Sequence, residues 1–377
     1  MPSENNEKEL LKRLSKEMLN KQGLKVEETE EGSNFDFRLK AEDYKIAVQV
    51  KSLKKAVNVA SLQKFIHLMQ LSEGQNFDIG LMLSSSGFSK AAVALLESTD
   101  NKKIILAKLD EKGELIVIYS PTGDLLFDNA TDQWSKERTY IGVFTAKGGV
   151  GKTTVAAHLA GAMALCKYEV SLLDLDPQQN LRRLLPEGAY ICSNPQRLGV
   201  SVDVLTTPEL ESSLDENIRF VVCDCSPEFH NNPPELVKRF NYCIIPTTLN
   251  PLGLNKNGSV ILSTIEQIRS INKHAFLFVL INGYRSSGNK GKMQKLLAAY
   301  RQVFQQCKEQ DNRFVFIDPE ECSIRDSDLL YYWGLHLFQD EDERQSTLAF
   351  DSVTGRCYPK EDFLNLVDYL REHEIVP

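Results

Sequence analysis

Residues Lys147, Gly148, Gly149, Val150, Gly151, Lys152, Thr153 and Thr154 form an unbroken glycine-rich stretch. An apolar run, 140–146, leads straight into it, and a helix-forming run, 153–166, leaves it. Glycine reaches backbone angles closed to other residues, so three glycines let the chain curl until successive N–H groups converge. A helix N-terminus placed behind that curl adds the positive end of its dipole. The pattern G-x-x-x-x-G-K-[ST] is thus a phosphate cradle, with Lys152 reaching the β- and γ-phosphates and the Thr153 hydroxyl ligating Mg²⁺. A nucleoside triphosphate, ATP with Mg²⁺, is the expected ligand. A buried strand feeding such a loop and a helix restricts the surrounding fold to the α/β class.

The rest of the second half agrees. Apolar strand-length runs recur at 170–175, 220–225, 243–246, 276–281 and 313–317, with helical stretches between most of them. Strands alternating with helices imply parallel crossovers and a mostly parallel sheet covered by helices on both faces. Asp174 and Asp176 stand two residues apart where the second of these strands leaves the sheet, facing the carboxyl edge at which phosphates bind. Asp224 ends the apolar run 220–223, where a carboxylate can hold Mg²⁺ directly or through its water shell.

The first half reads differently. Leu10, Leu11, Leu14 and Met18 recur at helical spacing over 7–21. Two alternating runs, 35–39 and 45–51, suggest a hairpin turning at 41–43. A helix at 60–71, a strand at 79–83, a helix from Ser89 to Leu96 and a strand at 103–108 follow, giving the order αββαβαβ. Short strands at 115–119 and 125–127 flank a turn at 121–124. The polar, aperiodic stretch 129–138 serves as a linker, so the expected domains are 1–128 and 139–377.

Length supports two domains. The chain has 377 residues, 42% hydrophobic and 25% charged, as in an ordinary soluble protein, and no apolar run long enough to span a membrane. Its opening residues lack a secretory pattern, so a cytoplasmic location is expected. Eight cysteines, scattered without a repeated Cys-x-x-Cys pair, argue against a zinc site or a disulfide scaffold. The net charge of −8 disfavours a globally basic coat but says little about local patches.

The loop with its extra Lys147, the segment Leu173 to Gln178 and then Asp224 together resemble the deviant Walker A ATPases of the ParA/MinD type, over roughly 139–377. That resemblance implies an ATP-dependent sandwich homodimer. In it Lys147 crosses to the partner's phosphates, Asp176 orients the attacking water, Asp224 is the Walker B acid, and Asp174 is a further candidate for a metal or switch role. A fixed cation at the γ-phosphate suits a transfer that spreads charge over equatorial oxygens. Ile245 to Thr248 with Pro251, and Ser323 to Asp328, look like the family's post-Walker-B loop and late nucleotide-side segment. Ser226 and Pro227 depart from the two prolines usual there. Cys223 and Cys225 lie in the Walker B strand, away from the loops where the iron-protein branch carries its cluster cysteines, so an iron–sulfur reading is rejected.

In the first half, Asp36, Gln49 and Lys51, with the strand at 79–84 and the helix start at 87–91, resemble Mrr-like restriction endonucleases of the PD-(D/E)XK superfamily in the Gln-x-Lys version, over roughly 7–110. On residues alone, a carboxylate and an amide oxygen can share a divalent metal that activates water, while Lys51 steadies charge on a scissile phosphate. The family's first helix contributes an acid, for which Glu17, on the face of Leu10 and Leu14, and Glu9 both qualify. Lys51, Lys54, Lys55, Arg285, Lys290, Lys292, Lys295 and Arg301 are candidates for phosphate-backbone contacts. The carboxyl-terminal helix around 363–374 lacks a basic polar face, which counts against a membrane role. Two functions remain open. The first is an ATP switch that controls a fused endonuclease acting on double-stranded DNA, in defence against foreign DNA, with a stimulating partner protein. The second is a partition or positioning ATPase whose amino-terminal domain only recognises DNA or a partner.

Overall fold

The structure is a computed structural model, and it describes residues 4–21, 25–29, 32–40, 45–52, 55–99, 103–109, 115–120, 138–186, 188–191, 200–206, 214–215, 217–249, 254–285, 290–335, 348–350 and 357–373. The chain divides into two compact units, Met1–Asp132 and Gln133–Pro377. The expected strand at 125–127 and nearly all of the expected linker lie outside the described residues.

The first unit runs α1 (Glu4–Lys21), β1 (Lys25–Glu27), β2 (Phe37–Lys40), β3 (Lys45–Lys51), α2 (Val59–Gln70), β4 (Ile79–Ser84), α3 (Lys90–Glu97), β5 (Ile104–Leu109) and β6 (Leu115–Tyr119). One sheet holds the strands in the order β1-β2-β3-β4-β5-β6. The β3–β4 and β4–β5 ladders are parallel and the outer ones antiparallel. Leu11 and Leu19 of α1 pack on the sheet face of Val48, Val50, Leu81, Leu83, Ala107 and Leu109. Gly80 lies against Phe65 and Met69, so α2 covers the opposite face. Asn58 and Ser89 cap α2 and α3, accepting from Ser61 N at 3.0 Å and Ala92 N at 2.9 Å.

Two sequence expectations change here, and one strand is added: β1 has only three residues, too few to give a periodic signal. Asp36 sits in a bend just before β2 rather than on the strand. The expected buried stripe of α1 is rotated: Leu11, Ser15 and Leu19 are buried, while Leu10 (47% exposed) and Leu14 (39%) face outward. One register of a leucine-rich helix fits periodicity as well as its neighbour, and the sheet decides between them.

The second unit is built on β7 (Thr139–Val143), α4 (Lys152–Leu165), β8 (Val170–Asp174), α5 (Asn180–Leu184), β9 (Ala189–Ile191), β10 (Val200–Val202), β11 (Val204–Thr206), β12 (Phe220–Asp224), α6 (Pro234–Arg239), β13 (Phe240–Thr247), α7 (Leu254–Ile271), β14 (Phe276–Tyr284), α8 (Lys290–Gln310), β15 (Phe314–Phe316), β16 (Ile324–Arg325), α9 (Asp328–Tyr331) and α10 (Tyr358–Glu372). The main sheet has the order β11-β8-β12-β7-β13-β14-β15, with β16 beside β14, and its ladders are parallel. The short strands β9 and β10 form a separate antiparallel pair. Helix α4 is buried over nearly its whole length, which its alanines and Gly161 permit; a Cβ on Gly161 would run into Leu348.

Candidate functional site: the phosphate loop and the acids beside it

Strand β7 ends at Val143, and the chain curls through 144–151 before α4 opens at Lys152. Gly149 (φ 73°) and Gly151 (φ 89°) adopt the left-handed conformation the curl demands. Nothing stands within 4 Å of a Cβ built on Gly148 or Gly149, so the space beside these two residues is open. Lys152 is 8% exposed, and its ammonium lies back along the loop and donates to the Lys147 carbonyl at 3.0 Å. Burial pulls its pKa down, against the pull of Asp224, Cys225 and Asp176.

Parallel register sets the acids. Asp224 pairs with Val143 on one side and with Asp174 on the other, so the phosphate-loop strand and both acid-bearing strands end in one row. Asp224 is 1% exposed, and neither of its carboxylate oxygens has a hydrogen-bond partner of normal geometry. Burial pushes its pKa up to about 7; the nearby Thr153 hydroxyl and Lys152 ammonium oppose this, and Asp174 and Asp176 add to it. A buried, unsatisfied carboxylate is costly, and beside a phosphate cradle its chemistry suits a cation. Thr153 and Asp224 therefore fit Mg²⁺.

Asp174 is used differently. Its two oxygens accept from Asp176 N and Arg182 N, both at 3.0 Å, and so shape the turn after β8. Burial raises its pKa. Asp176, half-buried, accepts from Gln178 N at 3.0 Å and from Asn180 Nδ2 at 3.3 Å within that same turn.

Sequence reasoning missed two braces. Asn282, at the end of β14, donates from Nδ2 to the Val150 carbonyl at 2.9 Å, and a Cβ on Gly151 would strike this amide. The signal was a polar residue closing an otherwise apolar strand. Asn232, 2% exposed, accepts from Ser226 N at 2.9 Å and donates to the carbonyls of Ser226, Glu228 and Phe229 at 3.1 to 3.3 Å. It pins the loop after Asp224 where the paired prolines are missing. Thr247, at the end of β13, is buried, and Pro251 lies outside the described residues.

The segment 323–328 lies between the phosphate-loop brace and α10. Ile324 pairs with Asn282, but Arg325 turns to α10: its backbone N and Nε reach Asp362 at 2.8 Å, and its guanidinium lies 4.2 Å from the Tyr358 ring. His158 joins α4 to the same region. Its Nδ1 donates to the Thr154 carbonyl at 2.8 Å, and Nε2 accepts from Ala349 N at 3.0 Å. Trp333, Phe350 and Phe363 surround the ring, and burial pushes its pKa down to about 4. Cys223, Cys225 and Cys243 are buried, with burial raising their pKa.

In the first unit, Asp36 Oδ2 accepts from Val50 N at 2.7 Å, and Oδ1 pairs with Lys12 Nζ at 2.9 Å. Lys12 also holds Glu9 at 2.9 Å. Gln49 donates to the Asn34 carbonyl at 3.3 Å, and Lys51 closes β3, half-buried. Both helix acids are exposed, and Glu9 reaches this group through Lys12. Among the basic candidates, Arg285 pairs with Asp326 at 2.7 Å and Arg301 with Asp318 at 2.5 Å, and Lys54 lies outside the described residues.

Residues 141–313 match the family described as the CobQ/CobB/MinD/ParA nucleotide binding domain. The maintenance of carboxysome distribution protein A of Gloeobacter kilaueensis is 31% identical over 162 residues, which cover 42% of this chain and 69% of that protein. The chain belongs to the ParA/MinD nucleotide-binding family. The chromosome-partitioning ATPase Soj of Thermus thermophilus is 26% identical to this ParA/MinD chain over 34% of it and 62% of Soj, less than two thirds of that relative. A solved structure of pNOB8 ParA bound to nonspecific DNA is 14% identical, covering 62% of this chain and 99% of that one at a TM-score of 0.45. Residues 4–116 match the Mrr-type family described as restriction endonuclease. A ParA/MinD unit and a restriction-endonuclease-like unit thus share one chain. Among the described residues, no helix is long and apolar enough to cross a membrane.

Proposed function

We propose that this chain is an ATP-hydrolysing switch that dimerises on ATP and directs its amino-terminal unit to double-stranded DNA. The buried Asp224 carboxylate, unsatisfied beside Thr153 and Lys152 and in one row with Asp174, is the observation that carries the reading. When bound, Mg²⁺ on Thr153 and Asp224 neutralises phosphate charge. The loop N–H groups hold the phosphate oxygens, and Lys152 moves from the Lys147 carbonyl to the β- and γ-phosphates. Asp176, in the turn that Asp174 shapes, orients the attacking water. Lys147 extends across the dimer to the partner's phosphates. Partition and positioning proteins among the relatives support an ATP-timed association, and a stimulating partner protein fits that scheme.

A second reading, DNA cleavage controlled by the switch, has in its favour the endonuclease match over 4–116 and the set Asp36, Gln49 and Lys51. The shared core is tested by measuring phosphate release and sedimentation with ATP. Wild type should turn over and dimerise, and Lys152→Ala should do neither. Equal turnover in both proteins would overturn the assignment.

A further inference from the structure

The endonuclease resemblance implies a divalent cation held by Asp36 and Gln49, and the residues around Asp36 do not fit one. The Asp36 carboxylate already faces the Lys12 ammonium at 2.9 Å, and Glu9, the acid that α1 brings to this group, is bound to the same ammonium at 2.9 Å. The two negative charges therefore share one fixed positive charge. Gln49 adds only a neutral amide, whose nitrogen is turned to the Asn34 carbonyl. One turn along the same helix face, Lys16 lies 5.5 Å from the centre of the Phe37 ring and pairs with Glu28 at 2.6 Å. The face that α1 turns to β2 is thus lined by ammonium groups.

A divalent ion on Asp36 would sit against an ammonium at contact distance and would have to displace it from the carboxylate. Even a sparse Mg²⁺ site needs one or two carboxylate oxygens free to turn to the ion, and here the Asp36 oxygens are engaged by Lys12 Nζ and Val50 N. Among the described residues no group of three or more His, Cys, Asp or Glu side chains is arranged to hold a metal. The ion pair also does structural work. Lys12 ties α1 to the bend at Asp36, and Asp36 in turn holds the Val50 amide, so the helix, the bend and β3 are fastened at one point.

We infer that Lys12 is the resident cation of the amino-terminal site, so that this unit, with its endonuclease-like fold, holds DNA without cutting it. The inference rests on the reading that the unit is directed to DNA. It makes the unit a tether whose grip is timed by the ATP switch.

The test uses the full chain without nucleotide, titrated with Mn²⁺ and followed by the loss of the free-ion paramagnetic resonance signal. Wild type and Asp36→Asn should bind the same number of Mn²⁺ ions, because any ion at Asp224 is common to both. Lys12→Glu should gain one further ion, which Asp36→Asn in the same chain removes. In parallel, supercoiled plasmid with ATP and Mg²⁺ or Mn²⁺ should be retarded by wild type yet stay supercoiled. Loss of one bound Mn²⁺ on Asp36→Asn alone would overturn the ammonium assignment. So would nicking by wild type that Lys51→Ala abolishes. Absence of plasmid retardation would overturn the DNA reading, while the Mn²⁺ count would still decide the ammonium claim by itself.

Discussion

Protonating His158 should unfasten the carboxyl-terminal unit, and the size of the effect follows from the site. The ring is fully buried, donates from Nδ1 to the Thr154 carbonyl and accepts at Nε2 from Ala349 N. A second proton on Nε2 would turn that acceptor into a donor facing another donor. Burial holds the folded-state pKa at about 4, against 6.5 for a free histidine. The unfolded chain therefore takes up the proton first as the pH falls. Stability is complete above pH 6.5 and is lost on the way down to about 4. Each pH unit between the two pKa values is worth about 1.4 kcal/mol, so the loss reaches about 3 kcal/mol, a large part of a typical domain's stability of ~5–15 kcal/mol.

Trp333, 4.6 Å from the imidazole, reports on this unit, and the only other tryptophan, Trp134, can be removed as Trp134→Phe. Urea melts from about pH 7 to about 4.5 would compare that background with one also carrying His158→Gln, an amide that can serve both partners but does not titrate. Other acids titrate in the same window, and subtracting the two curves removes them. The difference should grow steadily toward low pH. Identical pH dependence in the two proteins would refute the placement of a neutral, buried imidazole at this junction.

Four shorter predictions concern the nucleotide site. Asp176→Ala should still bind ATP, measured with a fluorescent analogue, but hydrolyse it poorly in single-turnover assays. Asn282→Ala removes a partly buried brace worth about 1 kcal/mol, so the KM for ATP should rise several-fold with kcat less affected. Gly151→Ala places a Cβ against the Asn282 amide at a residue with φ 89°, and nucleotide binding measured by calorimetry should be lost. Asn232→Ala frees the loop after Asp224, so kcat should fall more than ATP affinity, and Asn232→Asp, which keeps only the acceptor, should recover part of it.

Much of this architecture was legible because glycine loops and buried parallel strands leave strong marks. The run 140–154 alone announces strand, curl and helix, and Asp174 and Asp224 stand at strand ends as their positions suggested. What escaped was set by tertiary contact. The exposed face of α1 differs from the expected one because two leucine stripes compete on one helix. The pairing of Lys12 with Asp36 joins residues whose spacing carries no period. Asn232 and Asn282 are single polar residues whose roles exist only once distant strands meet. The bond from Arg325 to Asp362 of α10 likewise joins residues far apart in sequence.

Val143, Asp224 and Asp174 share one row of the parallel ladder, so the width of the site is counted in interstrand repeats of about 4.8 Å. Only broken main-chain hydrogen bonds could widen it. The sheet edge is in effect a fixed gauge, and any movement on nucleotide binding would fall to the three jaws hung from it, at 144–151, 176–179 and 225–232. Telling a triphosphate from a diphosphate then becomes a question of how far those jaws reach. Hydrogen exchange would register that reach as altered protection in the jaws over an unchanging row.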